Sequence, residues 1–511
     1  MVKEGEKILI NGKEYTLGSK LGGGLEGNIF TVNEAPGHVV KIINDNNMSR
    51  IQRNEVYNHL KWLKELGTRN KEIKQCMTVP KALLDDHLGY VMLNASEHDN
   101  LKKYITPPND PELFDEWYKK DFTFKKRYQI IINLFDALRK IHLAGLIFTD
   151  LSPNNIMVHR KQNQIVFIDI DNTRRRTDLY QGVLGTTGYI APEVYRKPDI
   201  NLAKNNNVNP QILSNCGRLT AESDIFSAAV IAFQILTLQH PFVGDEIDEG
   251  TPEDEERALE IKTDYIFKEG TSNYSTYGLT TKFNEITTQG IRDLFYRTFV
   301  AGKENPALRP TAEEFLEEFQ KAIDSIVICD NCGFSRLYSY EAANDCINCG
   351  STIETKVSII IYNVFEDLTR SEVINNIGNY PEYDILMDNL RITNSNKFPP
   401  NYFEISRIIL EPGDAKSKFL YLRHFEKNTE RSMKYARITL STSGTTVKVE
   451  VLNNVFDSPY LIEKNTRTIV PLNNGKEFPL DRYGIVFERK KFGKGFIKIF
   501  CKIVREWYDN I

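Results

Sequence analysis

The chain has 511 residues, 41% hydrophobic and 26% charged, which is too long for one hydrophobic core and too ordinary in composition for a disordered or fibrous protein; two to four globular domains are expected. A net charge of −4 with no local Lys/Arg block excludes a general affinity for nucleic acid or anionic membrane. Seven cysteines are too sparse for a disulfide framework, and four of them form two Cys-x-x-Cys pairs, a metal pattern that suits a reducing cytoplasm.

Along the chain, Met1–Gly12 is short and charged and lacks the apolar stretch of a signal peptide. Alternation then predicts short strands at Ile8–Ile10, Tyr15–Leu21, Asn28–Val32 and Val39–Ile43, followed by a helix over Ser49–Leu66. Residues 124–325 read as mainly helical. Ile130, Ile131, Leu134, Leu138 and Ile141 recur at helical spacing, as do Ile225, Ala229, Ala232, Phe233 and Leu236. The longest apolar stretch, Ala228–Leu236, contains Gln234 and is too short to span a membrane. Two polar, Asn/Pro-rich insertions, Thr106–Asp121 and Lys197–Asn215, read as surface loops. Beyond Ile328 the composition changes: residues 329–350 hold the paired cysteines, and 355–505 alternate apolar and polar residues between Asn/Gly/Pro turns, a β signature. No internal repeat of fixed period is present.

Four features could handle phosphate. Leu21-Gly22-Gly23-Gly24-Leu25-Glu26-Gly27-Asn28-Ile29-Phe30 places Gly22, Gly24 and Gly27 in a Gly-x-Gly-x-x-Gly pattern between two strands. Glycine there lets backbone N–H groups reach phosphate oxygens without a Cβ in the way, although a glycine-rich hairpin with no ligand has the same composition. Lys41 stands alone in the apolar strand Val39–Ile43 and needs an anionic partner; Glu55 on the following helix can supply one. The alternative is a lysine that snorkels from a strand end to a surface glutamate. Phe148-Thr149-Asp150-Leu151-Ser152-Pro153-Asn154-Asn155 follows a strongly apolar helix, and Val166-Phe167-Ile168-Asp169-Ile170-Asp171 ends a β run on a carboxylate. Taken singly, aspartates in loops are usually turn formers.

In this order and spacing the four resemble the protein-kinase signature set. The resemblance extends to Gly185-Thr186-Thr187-Gly188-Tyr189-Ile190-Ala191-Pro192-Glu193, similar to the end of an activation segment, and to Ser223-Asp224-Ile225-Phe226-Ser227-Ala228-Ala229-Val230, similar to the central helix of the larger lobe. Asn305-Pro306-Ala307-Leu308-Arg309-Pro310 resembles the region whose arginine pairs with the Ala-Pro-Glu glutamate, here Glu193. It implies a bilobal protein-kinase fold over residues 1–325, with an N-lobe over about 8–95 and a C-lobe over about 96–325. It also implies roles. The 22–27 loop, with Ile29, covers the phosphates of ATP, and Lys41, held by Glu55, binds its α- and β-phosphates. Asp150 accepts the proton of the substrate hydroxyl, while Asn155 and Asp169 hold Mg²⁺. Met92, Leu93 and Ala95 fall where the adenine-contacting hinge is expected, and Met92 serves equally well as core filler. Departures from the pattern are Phe148 and Thr149 in the His-Arg positions, Ser152 in place of a lysine, and Asp171 in place of the glycine after Asp-Ile. Thr149 brings no cation, so a phosphorylated activation segment would have nothing to neutralise there. Arg174-Arg175-Arg176 beside Thr177 is the counter-indication.

Cys329-Asp330-Asn331-Cys332 and Cys346-Ile347-Asn348-Cys349 are separated by 13 residues, and each pair is followed by glycine. Two such knuckles fit a closed tetrahedral Zn²⁺ site, a structural zinc ribbon over residues 326–354; redox-active pairs are the other reading, but they need neither two knuckles nor trailing glycines. Residues 355–511 read as a β-sandwich, with strands at Val447–Val451, Tyr460–Glu463, Thr468–Pro471, Glu477–Leu480 and Gly484–Glu488 and a turn at Asn473-Asn474-Gly475. Ile377-Gly378-Asn379 and the later strand series loosely resemble forkhead-associated domains, without the arginine and serine by which those domains bind phosphothreonine. A packing or docking domain is the other reading. The domain order is similar to that of kinases in bacterial phosphorylation triads, which implies a cognate phosphatase or a docking phosphoprotein as partner. The acidic run Asp245–Glu256, with eight carboxylates, is either a solvated loop or, beside a substrate groove, a selector of basic peptides.

The sequence thus reads as an α+β multidomain chain, and the resemblance implies an ATP-dependent Ser/Thr kinase acting on a protein substrate, with Mg²⁺ and structural Zn²⁺, and with neither nucleic acid nor membrane as partner. A pseudokinase scaffold that binds nucleotide and partners is the alternative, and a kinase-fold enzyme phosphorylating a small molecule is a third reading.

Overall fold

The computed structural model describes residues 2–24, 27–177, 185–195, 219–338, 345–346, 348–352, 357–366, 402–413, 417–421, 433–453, 459–463, 469–479, 482–488 and 496–505. Leu25, Glu26, the Lys197–Asn215 insertion and Ile377–Asn379 lie outside them. The chain divides into two compact units, Met1–Gln320 and Lys321–Ile511.

The first unit opens with strands β1 (Lys7–Ile10), β2 (Lys13–Gly23), β3 (Gly27–Val32) and β4 (His38–Ile43), helix α1 (Arg50–Arg69), and strands β5 (Ala82–Leu83) and β6 (Gly89–Leu93). They form one antiparallel sheet in the order β1-β2-β3-β4-β6-β5. Strand alternation sorts the side chains. Ile8, Leu17, Phe30, Val40, Ile42 and Val91 share one apolar cluster. Val39, Ile43, Tyr90 and Met92 share the other with Leu60 of α1. Lys41 lies on the same face as Val39 and Ile43 and stands opposite Tyr90 in the β4–β6 register. α1 begins where the sequence places it: the Ser49 hydroxyl accepts from Gln52 N, and Gln52 returns the bond to Ser49 N, a reciprocal cap.

The remainder of this unit is mainly helical, built on two long helices, Phe124–Leu143 and Ala221–Thr237. All but three residues of Ala221–Thr237 are buried. The Thr106–Asp121 insertion is not the surface loop expected from its Asn/Pro content. Asp110 caps a helix at Pro111–Glu116, a π-turn follows at Trp117–Asp121, and Trp117 and Tyr118 are buried. The reason is Arg127. Its guanidinium is fully buried, lies 4.1 to 5.5 Å from the ring centres of Tyr118, Phe122 and Trp117, and donates to the carbonyls of Phe122, Ile235 and Leu236. The cation is thus held by rings and by carbonyls at the C-terminal end of a helix, where the macrodipole is negative, and burial lowers its pKa to about 10.

In the second unit, a hairpin of Ile326–Ile328 with Ser335–Leu337 carries the first cysteine pair. Two antiparallel sheets follow. One runs through Tyr402–Leu410, Val357–Glu366, Phe496–Arg505, Tyr483–Glu488, Tyr460–Glu463 and Ile469–Pro471; the other through Lys418–Tyr421, Lys434–Leu440, Thr446–Val451 and Glu477–Pro479. Ile408, Leu461 and Ile485 of the first share an apolar cluster with Leu420, Ile438, Val449 and Phe478 of the second. The Asn473–Gly475 turn forms as the sequence indicates, with Gly475 at φ +77°.

Candidate active site

Lys41 reaches a different partner from the one the sequence suggested. Glu55 is exposed on α1, while the Lys41 ammonium, 5% exposed, bonds Asp169 and lies 2.6 Å from Asp171. The inward stripe of α1 is apolar, through Val56, Leu60, Leu63 and Gly67, and Glu55 lies beside it. A buried ammonium needs anions at hand, and the turn after the Ile165–Phe167 strand delivers two. Asp169 takes a left-handed φ of +58° and opens the short 3₁₀ turn Ile170–Asn172. Burial alone would lower the Lys41 pKa; the charges of Asp171 and Asp169 outweigh it and raise it. The Tyr90 hydroxyl donates to the other oxygen of Asp171 at 2.7 Å.

Ile29 pairs with Lys41 on the neighbouring strand, which sets the glycine turn beside the lysine. An added Cβ at Gly22 or Gly24 meets nothing within 4 Å, so those positions leave room for a ligand. Gly27 is glycine for another reason, because a Cβ there would collide with the Ile42 carbonyl. Of the expected hinge residues, Met92 packs in the apolar cluster with Leu60, Leu93 is exposed and Ala95 half-buried.

Asp150 sits in a loop fixed from behind. The fully buried Asp224 carboxylate accepts from Phe148 N at 2.8 Å, Thr149 N at 3.1 Å and His142 Nε2 at 3.1 Å. The Thr149 hydroxyl donates to the Asn172 carbonyl at 2.8 Å, tying this loop to the one that carries Asp169. Asn155 Nδ2 donates to the carboxylate and the carbonyl of Asp150 at 2.9 and 3.0 Å, and the Thr186 hydroxyl donates to the other carboxylate oxygen at 3.0 Å. Asn155 thus turns its amide nitrogen to Asp150 and its amide oxygen away from it. With Asp169 it offers the oxygen donors that Mg²⁺ prefers. Ser152 is fully buried and brings no charge to the site.

The Gly185–Glu193 segment is held by a buried bidentate pair, Arg309 donating to both Glu193 oxygens at 2.6 and 2.7 Å. His240, neutral because burial pulls its pKa to about 4, bonds the Gly188 carbonyl through Nε2 at 2.8 Å. Beside this segment lies a groove of about 680 Å³ lined by Gly188, Tyr189, Leu259 and Phe114, with Asp248 and Glu255 on its wall. Partial burial and the charges of Asp245 and Glu255 raise the Asp248 carboxyl.

The four sulfurs of Cys329, Cys332, Cys346 and Cys349 lie within 4.8 Å of one another. Zn–S bonds of about 2.3 Å in a tetrahedron set sulfurs roughly 3.8 Å apart. The Cys329–Cys349 and Cys332–Cys346 separations, 3.7 and 3.5 Å, fit it. The two knuckles repeat one turn: Gly333 N bonds the Cys329 carbonyl and Gly350 N the Cys346 carbonyl, with φ of +74° and +70°. Asn331 Nδ2 points at Cys349 Sγ, 3.5 Å away.

The protein kinase domain family matches residues 15–319, more than half of the chain. The chain belongs to the protein kinase domain family. Among its relatives are calcium-dependent protein kinase 5 of Plasmodium berghei, 26% identical over 259 residues, 48% of this chain and 39% of the relative, and a probable serine/threonine-protein kinase PknB of Bifidobacterium longum, 27% identical over 123 residues, 23% of this chain and 15% of the relative. The serine/threonine-protein kinase PknB of Mycolicibacterium smegmatis is 29% identical over 127 residues, 24% of this chain and 17% of the relative. The matched stretches therefore span well under two thirds of these relatives. All four glycine, lysine and aspartate motifs fall inside the matched kinase domain, and the two Cys-x-x-Cys pairs and the two later sheets fall after it. No described helix is long and apolar enough to cross a membrane.

Sequence reasoning gave no role to Asp224, Tyr90 and His240. Asp224 alone carried a signal, a carboxylate within an otherwise apolar helical run.

Proposed function

We propose that this kinase domain transfers the γ-phosphoryl group of ATP to Ser or Thr hydroxyls of a protein substrate. The observation that carries this reading is the Asp150 carboxylate, oriented by Asn155 and Thr186 and backed by Asp224. As the acceptor oxygen bonds to the γ-phosphorus and the bond to the β-phosphate oxygen breaks, Asp150 receives the acceptor's proton. Lys41 neutralises phosphate charge, and the 22–27 turn covers it. Bound through Asn155 and Asp169, Mg²⁺ would supply further neutralisation of the phosphates. Phosphoryl transfer depends mostly on such positioning and electrostatics.

The acidic groove supports a basic substrate with an apolar residue near the acceptor. Reversing both charges, Asp248→Lys with Glu255→Lys, should raise KM for basic peptides on the order of tenfold at unchanged kcat, about 0.7 kcal/mol per charge. Equal KM values for basic and acidic peptides in the wild-type protein would contradict the groove's role. Phosphoamino-acid analysis of the product tests the acceptor class: phosphoserine or phosphothreonine is expected, and phosphate found only on a small molecule would refute the reading.

Activity should not require a phosphorylated activation segment. Thr149 spends its hydroxyl on Asn172. Of the arginines, Arg174 bonds the Asp171 and Thr173 carbonyls and meets His59, and Arg175 stacks 4.3 Å from the Trp62 ring centre on α1. Protein made with a co-expressed phosphatase, and shown by mass spectrometry to be unmodified at Thr177, should react without a lag; a lag ending only as Thr177 gains phosphate would overturn this.

In the second unit, the shared core of the two sheets supports a β-sandwich that packs or docks rather than reading phosphothreonine. Titration calorimetry with phosphothreonine peptides should give weak or no binding; micromolar, phosphate-dependent affinity would contradict it.

A further inference from the structure

We infer that Asp171, rather than Glu55, is the positioning residue for Lys41, with Tyr90 as its support. This rests on the kinase reading for its purpose but on geometry for its content. Asp171 stands where the resembling motif has glycine, so the chain carries a carboxylate that the pattern does not require. Its two oxygens are divided: one lies 2.6 Å from the Lys41 ammonium, the other accepts from the Tyr90 hydroxyl at 2.7 Å. Its side chain is 14% exposed against 34% for Asp169.

Three contacts fix the carboxylate in place. Tyr90 is fully buried and stands directly across the β4–β6 register from Lys41, so both reach Asp171 from adjacent strands of one sheet. Arg174 donates to the Asp171 carbonyl at 3.0 Å, and the Thr149 hydroxyl binds the next carbonyl, that of Asn172. A Lys41–Glu55 pair would instead need an exposed glutamate to give up its hydration and enter a site that already holds two anions.

The arrangement also divides labour. Asp169 is the carboxylate expected to serve a divalent cation, and once it does so it gives less of its charge to Lys41. Asp171, whose two oxygens meet Lys41 and Tyr90, continues to hold the ammonium in place.

The test is binding of ATP without a divalent cation, read by titration calorimetry on the intact chain, which does not depend on phosphoryl transfer. Glu55→Gln, Asp171→Asn and Tyr90→Phe are compared with wild type, alongside KM and kcat for ATP. Losing the Asp171 contact should weaken ATP binding and raise its KM several-fold, with a smaller change in kcat, because the ammonium is no longer held where the phosphates arrive. The loss should exceed that of Glu55→Gln. Tyr90→Phe, which removes one hydroxyl from the core, should act in the same direction by less, and it decides the matter if Asp171→Asn fails to fold. Affinity lowered by Glu55→Gln and unmoved by Asp171→Asn or Tyr90→Phe would overturn the inference. A wild-type protein that transfers no phosphate but shows the expected losses of affinity would refute the kinase reading and leave this one standing.

Discussion

Lys41→Met and Asp169→Asn should each lower the rate of phosphoryl transfer at least ~10²-fold, the scale of losing one preorganised electrostatic contact. Lys41 is the cation reached from the sheet, and Asp169 is the carboxylate expected to hold the metal. The N-terminal sheet should survive both changes, because its stability rests on apolar clusters on the two faces. Initial rates, with circular dichroism to confirm the fold, decide the matter. Either mutant working within a few-fold of wild type would sink the assignment.

The second large effect concerns the cysteines. The purified chain should carry one zinc, and Cys332→Ser should lose it. Four thiolates in a closed set leave no open coordination position, so the ion's contribution is to folding. Apparent binding free energies of about 10–16 kcal/mol are usual for such sites, far more than a hairpin of this size can supply. The glycine turns at Gly333 and Gly350 fold the backbone back onto the carbonyls of Cys329 and Cys346 and so fix both knuckles. Chelation should release the ion and speed hydrogen exchange across Ile326–Ile328 and Ser335–Leu337. Full zinc content in Cys332→Ser, or none in the wild type, would refute the site.

Much of this was legible in the residues. Alternation placed the early strands to within two residues of their bounds, the helical run expected over Ser49–Leu66 covers most of α1, and the paired Cys-x-x-Cys-Gly knuckles placed the metal cluster. Asp150 and Asn155 stood out only through the order and spacing of the kinase-like motifs, since an aspartate in a loop is by itself usually a turn former. Less legible were contacts between residues distant in sequence. Glu55 and Asp171 are both carboxylates able to reach Lys41, and only the backbone decides: one sits beside an apolar helix stripe, the other in a 3₁₀ turn under the sheet. The Thr106–Asp121 insertion was misread because its prolines and Asn109 outweighed Trp117 and Tyr118. Those rings are drawn in by the buried cation at Arg127, and Asp110-Pro111 was a helix start in plain view. Likewise Arg309 was readable as Glu193's partner only through the motif, whereas its burial is a property of the fold.

The central claim is that Asp150 serves phosphoryl transfer to protein. Incubating the purified chain with Mg²⁺, γ-labelled ATP and a peptide array, wild type beside Asp150→Ala, tests it most directly. Label on serine- or threonine-containing peptides with wild type and its loss in the mutant is the expected result; no transfer by wild type, or equal transfer by both proteins, would contradict it.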